Sequence, residues 1–504
     1  MGYSTIREIL VSTNERFGAE DAIRYKVGKG VVESKTYTQL KEDSEHFSLA
    51  LQEFGELGSH IALTGATSYE WIVTYMGIVN SGRVAVPLDA SLPAEEMCEL
   101  IDRADVTAFV YDEMRQDVAD MVRERCPKLK HLISMQKEGQ DEPGSILSFH
   151  GLLEKQTGSF DFIPEPDKLC TIMYTSGTTG KSKGVMLTNR NLAENATCLD
   201  MKFPERTVLL SVLPIHHAYC LCMDILKAIS LGSIICINDS LLRVVKNIKL
   251  FKPNMILMVP LMIETIAKKL EDVSGMPKKL VKMQIFGNQF HTIVSGGAYL
   301  NPAYIDLFEK YGITILQGYG MTECSPVISS NLSWHIKKDS VGKLFPNCEA
   351  KTVDEELWVR GSSVMMGYYK MPEETAETLH DGWLATGDLG YVDEDGYVFL
   401  TGRKKNLIIT KNGENVSPEE LENKIGEHRL VQEILVREAE GVIEAEIFPD
   451  YDYAKKKKIG DIKAALQQII DEYNQSAPAF KRVYSLKVRD TEFEKTTSKK
   501  IKRN

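Results

Sequence analysis

Thr171-Ile-Met-Tyr-Thr-Ser-Gly-Thr-Thr-Gly-Lys-Ser-Lys-Gly-Val185 is the stretch on which the reading of this chain turns. Thr171 to Tyr174 read as a buried apolar strand that runs into a loop of Ser, Thr and Gly, and a helix-like segment opens near Asn189. Glycines such as Gly177 and Gly180 let a backbone approach a polyphosphate closely, and consecutive N–H groups there form an anion-binding concavity. The hydroxyls of Thr175, Ser176, Thr178 and Thr179 add donors, and Lys181 and Lys183 add positive charge. Gly180-Lys181-Ser182 invites comparison with a Walker A loop. That motif needs a glycine five residues before Gly180, where Thr175 stands. A flexible linker could share the composition, but not the strand before it together with the lysines after it.

Working outward, four more segments carry polar and glycine residues between apolar runs. They are Gln317-Gly-Tyr-Gly-Met-Thr-Glu323, Ala385-Thr-Gly-Asp-Leu-Gly390, Gly402-Arg-Lys-Lys405 with Gly413-Glu-Asn-Val-Ser-Pro418, and Lys495-Thr-Thr-Ser-Lys-Lys-Ile-Lys-Arg503. Together with the first loop, in this order, they resemble the adenylate-forming (AMP-binding) superfamily. That group includes acyl-CoA synthetases, firefly luciferase and the adenylation domains of nonribosomal peptide synthetases. The resemblance covers essentially the whole chain, including Thr36-Tyr-Thr-Gln-Leu40 and Val86-Pro-Leu-Asp89, and is most like bacterial long-chain fatty acyl-CoA synthetases.

Length and composition agree with a multidomain enzyme. A chain of 504 residues exceeds one compact core, and 43% hydrophobic with 26% charged residues is ordinary for a globular protein. A net charge of −11 argues against a nucleic-acid partner. The basic run Lys455 to Lys458 reads as a solvated face. Nine cysteines, none spaced Cys-x-x-Cys, fit a reducing cytoplasm rather than a disulfide framework or metal cluster. No signal peptide or transmembrane run is expected: the longest clearly apolar stretch, Met255 to Ile263, has nine residues and contains Pro260, against about twenty for a span. A peripheral membrane contact stays compatible with a lipid substrate.

Helical spacing predicts a helix over Tyr37 to Phe54, strands at Ile61 to Thr64 and Val84 to Pro87, and a helix between them from Tyr69 to Ser81. Such alternation indicates α/β architecture with parallel sheets. Residues 137 to 168 read as a polar connection. After about Gly342, short strands and turns take over, with Leu357 to Arg360, Tyr397 to Leu400 and the turn Asp393-Glu-Asp-Gly396 the clearest. The resemblance implies a large N-terminal domain of α/β sheets with a small β-rich subdomain, residues 1–402, and a small mobile α+β C-terminal domain, residues 403–504.

Adenylation joins a carboxylate to the α-phosphate of ATP and expels pyrophosphate, so charge must be positioned and neutralised. The phosphate loop is expected to serve the β- and γ-phosphates, Glu323 to bind Mg²⁺ as a hard oxygen ligand, and Thr322 to hydrogen-bond the α-phosphate. Tyr319 offers a ring face to adenine, and Ser295-Gly-Gly-Ala298, through Gly297 and Ala298, a groove for the flat base. Asp388 suits the ribose hydroxyls, with Arg403 as the second contact. The resemblance implies a terminal lysine that reaches the carboxylate and the α-phosphate. Spacing from Thr496-Thr497 favours Lys500, while Lys499 and Lys502 compete with it, and the chain departs from the family at Glu494 and Lys499. It also implies a hinge at Lys405 and a pantetheine tunnel including Gly413 for CoA, although Ile409 stands where some relatives carry lysine.

Pro214-Ile-His-His217 resembles the segment between acyl pocket and phosphates, which makes His217 a candidate to gate the site or position the carboxylate. Amino-acid-activating relatives place an aspartate just afterwards, and here that position is Ala218. A buried ammonium without a counter-ion is expensive, so an apolar acid is expected, with Met223, Ile225, Phe286 and Val327 as pocket candidates. The reading is a ligase using ATP, Mg²⁺ and CoA on a medium or long fatty acid. The alternatives are a stand-alone enzyme loading a carrier protein's phosphopantetheine and a degenerate nucleotide-binding module without ligase activity.

Overall fold

The computed structural model describes residues 2–28, 30–54, 58–136, 146–175, 182–200, 202–273, 275–410, 413–495 and 501–503. The chain divides into two compact units. The first comprises Met1–Leu300, Tyr304–Glu349 and Val359–Leu384, and the second Asn301–Ala303, Ala350–Trp358 and Ala385–Asn504.

The first unit carries two large sheets. One runs in spatial order Gly367–Tyr368, Lys183–Thr188, Leu169–Thr175, Val84–Leu88, His60–Thr64, Ala108–Tyr111, His131–Ser134 and Leu147–Ser148. From Leu169–Thr175 to Leu147–Ser148 its pairs are parallel. The strands read as unbroken apolar runs because both faces are covered, and His60–Thr64 and Val84–Leu88 are buried at every position. The other sheet has a parallel centre from Thr314–Gly320 through Thr292–Ser295, Met255–Met258, Val208–Ser211 and Ile234–Ile237 to Asp21–Val27. Antiparallel strands close both of its ends.

Local chemistry sets the element boundaries. The helix Tyr37–Glu53 starts at a reciprocal cap: Gln39 N–H donates to Thr36 Oγ1 at 3.2 Å, and Thr36 N–H donates to Gln39 Oε1 at 2.9 Å. Ser68 caps the helix Tyr69–Asn80 through the N–H of Trp71. Both helices and the strands between them fall where their periodicity predicts. Two expectations change. The stretch read as a polar connection includes the strand Leu147–Ser148 and the helix Phe149–Glu154, capped by Ser148. The phosphate motif joins two strands rather than a strand and a helix: Lys183–Thr188 intervenes before the helix Asn189–Thr197. Its residues are half apolar and lie beside glycines, so their strand period is short and easily missed.

In the second unit, Asp388–Val392 pair antiparallel with Val398–Arg403 across the turn at Gly396. A three-stranded sheet of Val431–Ala439, Val442–Pro449 and Ser485–Val488 follows. Helices Pro418–Ile425 and Ile462–Ser476 bury Leu421, Ile425, Leu466 and Ile470 with Val436, Ala445 and Ile447 of that sheet. The α/β, then β-rich, then α+β sequence of elements is the expected architecture.

Candidate active site

The strands Leu169–Thr175 and Lys183–Thr188 flank the phosphate motif, and Thr175 and Lys183 stand opposite each other where the two strands meet it. Ser176, Gly177, Thr178, Thr179, Gly180 and Lys181 lie outside the described residues. Arg103 clamps the returning side: its Nη2 donates to the Ser182 carbonyl at 2.9 Å, and its guanidinium lies 5.8 Å from the Tyr174 ring centre. Tyr369 N–H donates to the Gly184 carbonyl at 2.8 Å.

Tyr368 links Lys183 to the second motif. The Lys183 ammonium sits 4.8 Å from the centre of its ring, and its hydroxyl donates to Glu323 Oε1 at 2.9 Å. Burial, and then the Glu323 carboxylate, push the tyrosine pKa up, so the hydroxyl stays a proton donor. Thr322 and Glu323 lie half-buried on a single turn, Thr322–Cys324, after the strand Thr314–Gly320. The approach of that turn requires glycine at 320, where a Cβ would lie 2.0 Å from the Pro326 carbonyl oxygen. Ser325 adopts a left-handed φ of 66° and is held by its hydroxyl's 2.8 Å bond to the Ser363 carbonyl.

Tyr319 is buried within its strand. Gly297 and Ala298 lie exposed just past the strand Thr292–Ser295, with Gly297 at φ +88°. Beside them, Tyr219 donates to the Val294 carbonyl at 3.1 Å, and the buried Ser295 hydroxyl has no hydrogen-bond partner among the described residues. His217 is exposed, and its ring lies 4.2 Å from that of His216. His216 is the enclosed member of the pair. Burial, reinforced by His217, pushes its pKa well down, so it is neutral near pH 7 and its 3.6 Å approach to Asp89 is not an ion pair there.

Ala218 is buried, as is the following turn Cys220–Leu226, which is wound as a π-helix. Between this turn and the sheet is a cavity of about 20 Å³ lined by Met223, Leu209, Met255, Leu257 and Val294, with Lys227 also at its wall. Of the four pocket candidates only Met223 reaches it. Phe286 instead stacks on Phe290 at 5.2 Å and meets Phe308 at 6.1 Å. Asp224 on the same turn is fully buried. Burial pushes its carboxyl up to about 7, against hydrogen bonds from the Ser211 hydroxyl and the Cys220 thiol.

Within the second unit, Asp388 and Arg403 are cross-strand neighbours and pair at 2.6 Å. Asp388 is buried and Arg403 partly exposed, so the guanidinium side of the pair is the one open to a ligand. A second pair, which no motif in the sequence points to, supports the same strand. Glu356 accepts from Gly387 N–H at 2.8 Å and pairs with Lys404 at 2.8 Å. Lys405 lies exposed in the turn Lys404–Asn406. Gly413, at φ +80°, ends the loop between the paired strands Ile408–Ile409 and Asn415–Val416. Lys500 lies outside the described residues. The residues flanking it pair as an antiparallel bridge, Lys495 with Ile501. Lys495 Nζ bonds Glu433 at 2.5 Å, and Arg503 pairs with Glu422 and, at 3.5 Å, Glu419.

Among the described residues no helix is long and apolar enough to cross a membrane. The chain matches the family model "AMP-binding enzyme" over residues 12–369 and "AMP-binding enzyme C-terminal domain" over 405–504. It is 28% identical to a long-chain-fatty-acid–CoA ligase of Bacillus subtilis (strain 168) over 478 residues, 86% of this chain and 82% of that protein. Its fold matches the anthranilate CoA ligase AuaEII in complex with anthranoyl-AMP with a TM-score of 0.84 at 23% identity, covering 99% of this chain and 96% of that one. ATP-bound MatB from Rhodopseudomonas palustris gives 0.82 at 23% identity, covering 99% and 97%. With a strand-borne phosphate motif, the Thr322–Glu323 turn and the Asp388–Arg403 pair all following in family order, this chain belongs to the AMP-binding enzymes.

Proposed function

We propose that the chain is an AMP-forming acid–thiol ligase that activates a medium- or long-chain fatty acid and transfers the acyl group to CoA. In the first step a carboxylate oxygen attacks the α-phosphorus of ATP, and the bond to pyrophosphate breaks. In the second the CoA sulfur attacks the acyl carbonyl carbon, and AMP leaves. The observation that carries this reading is the Lys183–Tyr368–Glu323 contact, which brings a phosphate-loop cation and a hard carboxylate to one tyrosine. Such a pairing suits a metal-bound polyphosphate.

Among the described residues no group of three or more ligating side chains is gathered. A single carboxylate fits Mg²⁺, which is ordinarily held by one or two carboxylates together with substrate phosphates and water. Glu323 is the residue that would hold it, and when bound the ion would neutralise charge on the phosphate oxygens. Thr175, Lys183 and the motif residues Ser176 to Gly180 are assigned to the β- and γ-phosphates, and Thr322 to the α-phosphate. Tyr319, Gly297 and Ala298 are assigned to adenine, and Asp388 and Arg403 to the ribose. Lys500 is assigned to the attacking carboxylate, His217 to positioning it, Lys405 to the hinge at the start of a C-terminal domain at 403–504, and Gly413 to the thiol's path.

The apolar acid rests on Ala218, buried at the position where amino-acid-activating relatives are expected to place an aspartate. An unpaired ammonium in such surroundings costs several kcal/mol, roughly 3–5 by analogy with broken buried pairs. A pyrophosphate-release screen of octanoate, palmitate, a benzoate and a panel of amino acids, with and without CoA, tests both halves. Fatty acids should drive release, and CoA should accept the acyl group. Turnover on an amino acid with none on fatty acids would overturn the substrate. Release without CoA acylation would favour carrier-protein loading, and no release with any acid would favour a module without ligase activity.

A further inference from the structure

One stretch of the first unit reverses the charge of the chain. Residues 241–284 hold nine Lys and Arg against three Asp and Glu, in a protein of net charge −11. Their placement follows from the sheet. The chain steps outward from Val208–Ser211 to Ile234–Ile237, then turns back past it to Met255–Met258 and on to Thr292–Ser295. Right-handed crossovers put the connections of the return path on one face, opposite the turn Cys220–Leu226. The helix Val244–Phe251 therefore shares a face with Pro260–Asp272 and Lys278–Ile285, and it packs against Lys278–Ile285 and the short turn Leu241–Arg243.

The solvent side of this layer is both apolar and basic. Leu241 and Leu242 are 62% and 98% exposed at the start of the first helix, and Leu280 and Met283 are exposed on Lys278–Ile285, whose only fully buried residue is Val281. Lys246, Lys249, Lys278 and Lys279 on the same two helices are exposed as well, and among the described residues none of the four is paired with a carboxylate. The segment's own acids lie elsewhere. Glu264 is half-buried, and Glu271 and Asp272 end the helix Pro260–Asp272. Asp239, just before the patch, is engaged by Lys26, Arg243 and Asn247. A leucine exposed almost completely gains nothing from water, and lysines with free heads beside it add attraction for anions.

We propose that this face docks the enzyme on an anionic lipid bilayer, with Leu241 and Leu242 entering the headgroup–acyl boundary and the lysines meeting lipid phosphates. Leu242, 98% exposed beside exposed lysines of the same layer, offers an apolar group with basic charge around it, which suits an anionic lipid surface. Shallow apolar insertion combined with basic charge is how interfacial elements bind membranes. The docking stands whether the acid activated is fatty or aryl.

The test is co-sedimentation of the full chain with phosphatidylcholine vesicles, with and without phosphatidylglycerol, at low and high salt. Wild type should pellet with the anionic vesicles, release on raising salt, and stay in the supernatant with phosphatidylcholine alone. Leu241→Ser with Leu242→Ser, and Lys278→Glu with Lys279→Glu, should each lose the pellet, with partitioning falling on the order of fivefold per lysine removed. Lys455→Glu with Lys456→Glu, on the other basic run, should bind like wild type. Pyrophosphate release on a soluble acid should be unchanged in all of them. Wild type that ignores anionic vesicles, patch variants that bind as well as wild type, or a control pair that fails equally would overturn the proposal. So would binding to an acidic acyl carrier protein, lost in the same variants, without any vesicle binding.

Discussion

Replacing Tyr368 by Phe removes one hydrogen bond at the candidate metal carboxylate. The ring stays, so the Lys183 ammonium keeps its 4.8 Å face contact, while the 2.9 Å donation to Glu323 Oε1 is lost together with the hydroxyl's contact with Thr378. A hydrogen bond to a charged group contributes about 1.5–3 kcal/mol, which corresponds to roughly 10- to 150-fold in rate if the bond is needed in the transition state. Glu323 is only half-buried, so water can replace the donor in the resting protein and the melting temperature should barely move. The assay is pyrophosphate release at saturating acid, with kcat/KM measured for Mg·ATP and the Mg²⁺ requirement titrated separately. The Phe variant should lose kcat/KM for Mg·ATP and need more Mg²⁺, while its KM for the acid is retained. Tyr368→Leu should lose further, by about the 0.5–2 kcal/mol of a cation–π contact to a buried ring. A Phe variant with wild-type kcat/KM would refute the reasoning. So would a loss matched by a fall in melting temperature, which would make Tyr368 a packing residue.

Lys500→Ala should lose adenylate formation by ~10²–10³ while retaining thioester formation from supplied acyl-adenylate; a crippled Lys499→Ala beside a near-normal Lys500→Ala would move the assignment by one residue. Lys405→Pro should keep pyrophosphate release and slow CoA acylation, because proline fixes φ at the proposed hinge; equal losses in both steps would make Lys405 a static residue. Asp224 has its carboxyl raised from 3.8 to about 7 by burial, so between those values the folded chain holds a proton that the unfolded chain has lost. Its contribution to stability is therefore present at low pH and falls as pH rises through that window, by about 4 kcal/mol at most. Asp224→Asn should gain on wild type in melting temperature from about pH 5 to pH 8, and a constant difference would show that the acid titrates normally.

Much of the fold was legible because its signals are local. The helices Tyr37–Glu53 and Tyr69–Asn80 declare themselves by their apolar spacing, and the all-buried strands His60–Thr64 and Val84–Leu88 by short apolar runs. The strand Lys183–Thr188 did not, because its identity comes from pairing with Leu169–Thr175 across glycines that carry no period of their own. The elements within 137–168 were hidden by the polar composition around them.

The candidate site divides along the same line. Motif residues such as Glu323, Asp388 and Arg403 are found in sequence because their neighbours are distinctive, whereas the groups that hold them are not. Tyr368 lies 45 residues from Glu323 and sits in a plain Gly-Tyr-Tyr stretch, and Arg103 meets Ser182 from 79 residues away. Glu356 holds the Gly387 N–H from another strand. His216 and His217 are adjacent, and only packing decides that one is enclosed and neutral while the other faces solvent. A resemblance therefore transfers the groups that would touch substrate more readily than those that set their charge and position. For this chain the second set makes the sharper test. If Tyr368, Arg103 and Glu356 can be changed without loss, the motifs would be working without the support that this fold places behind them.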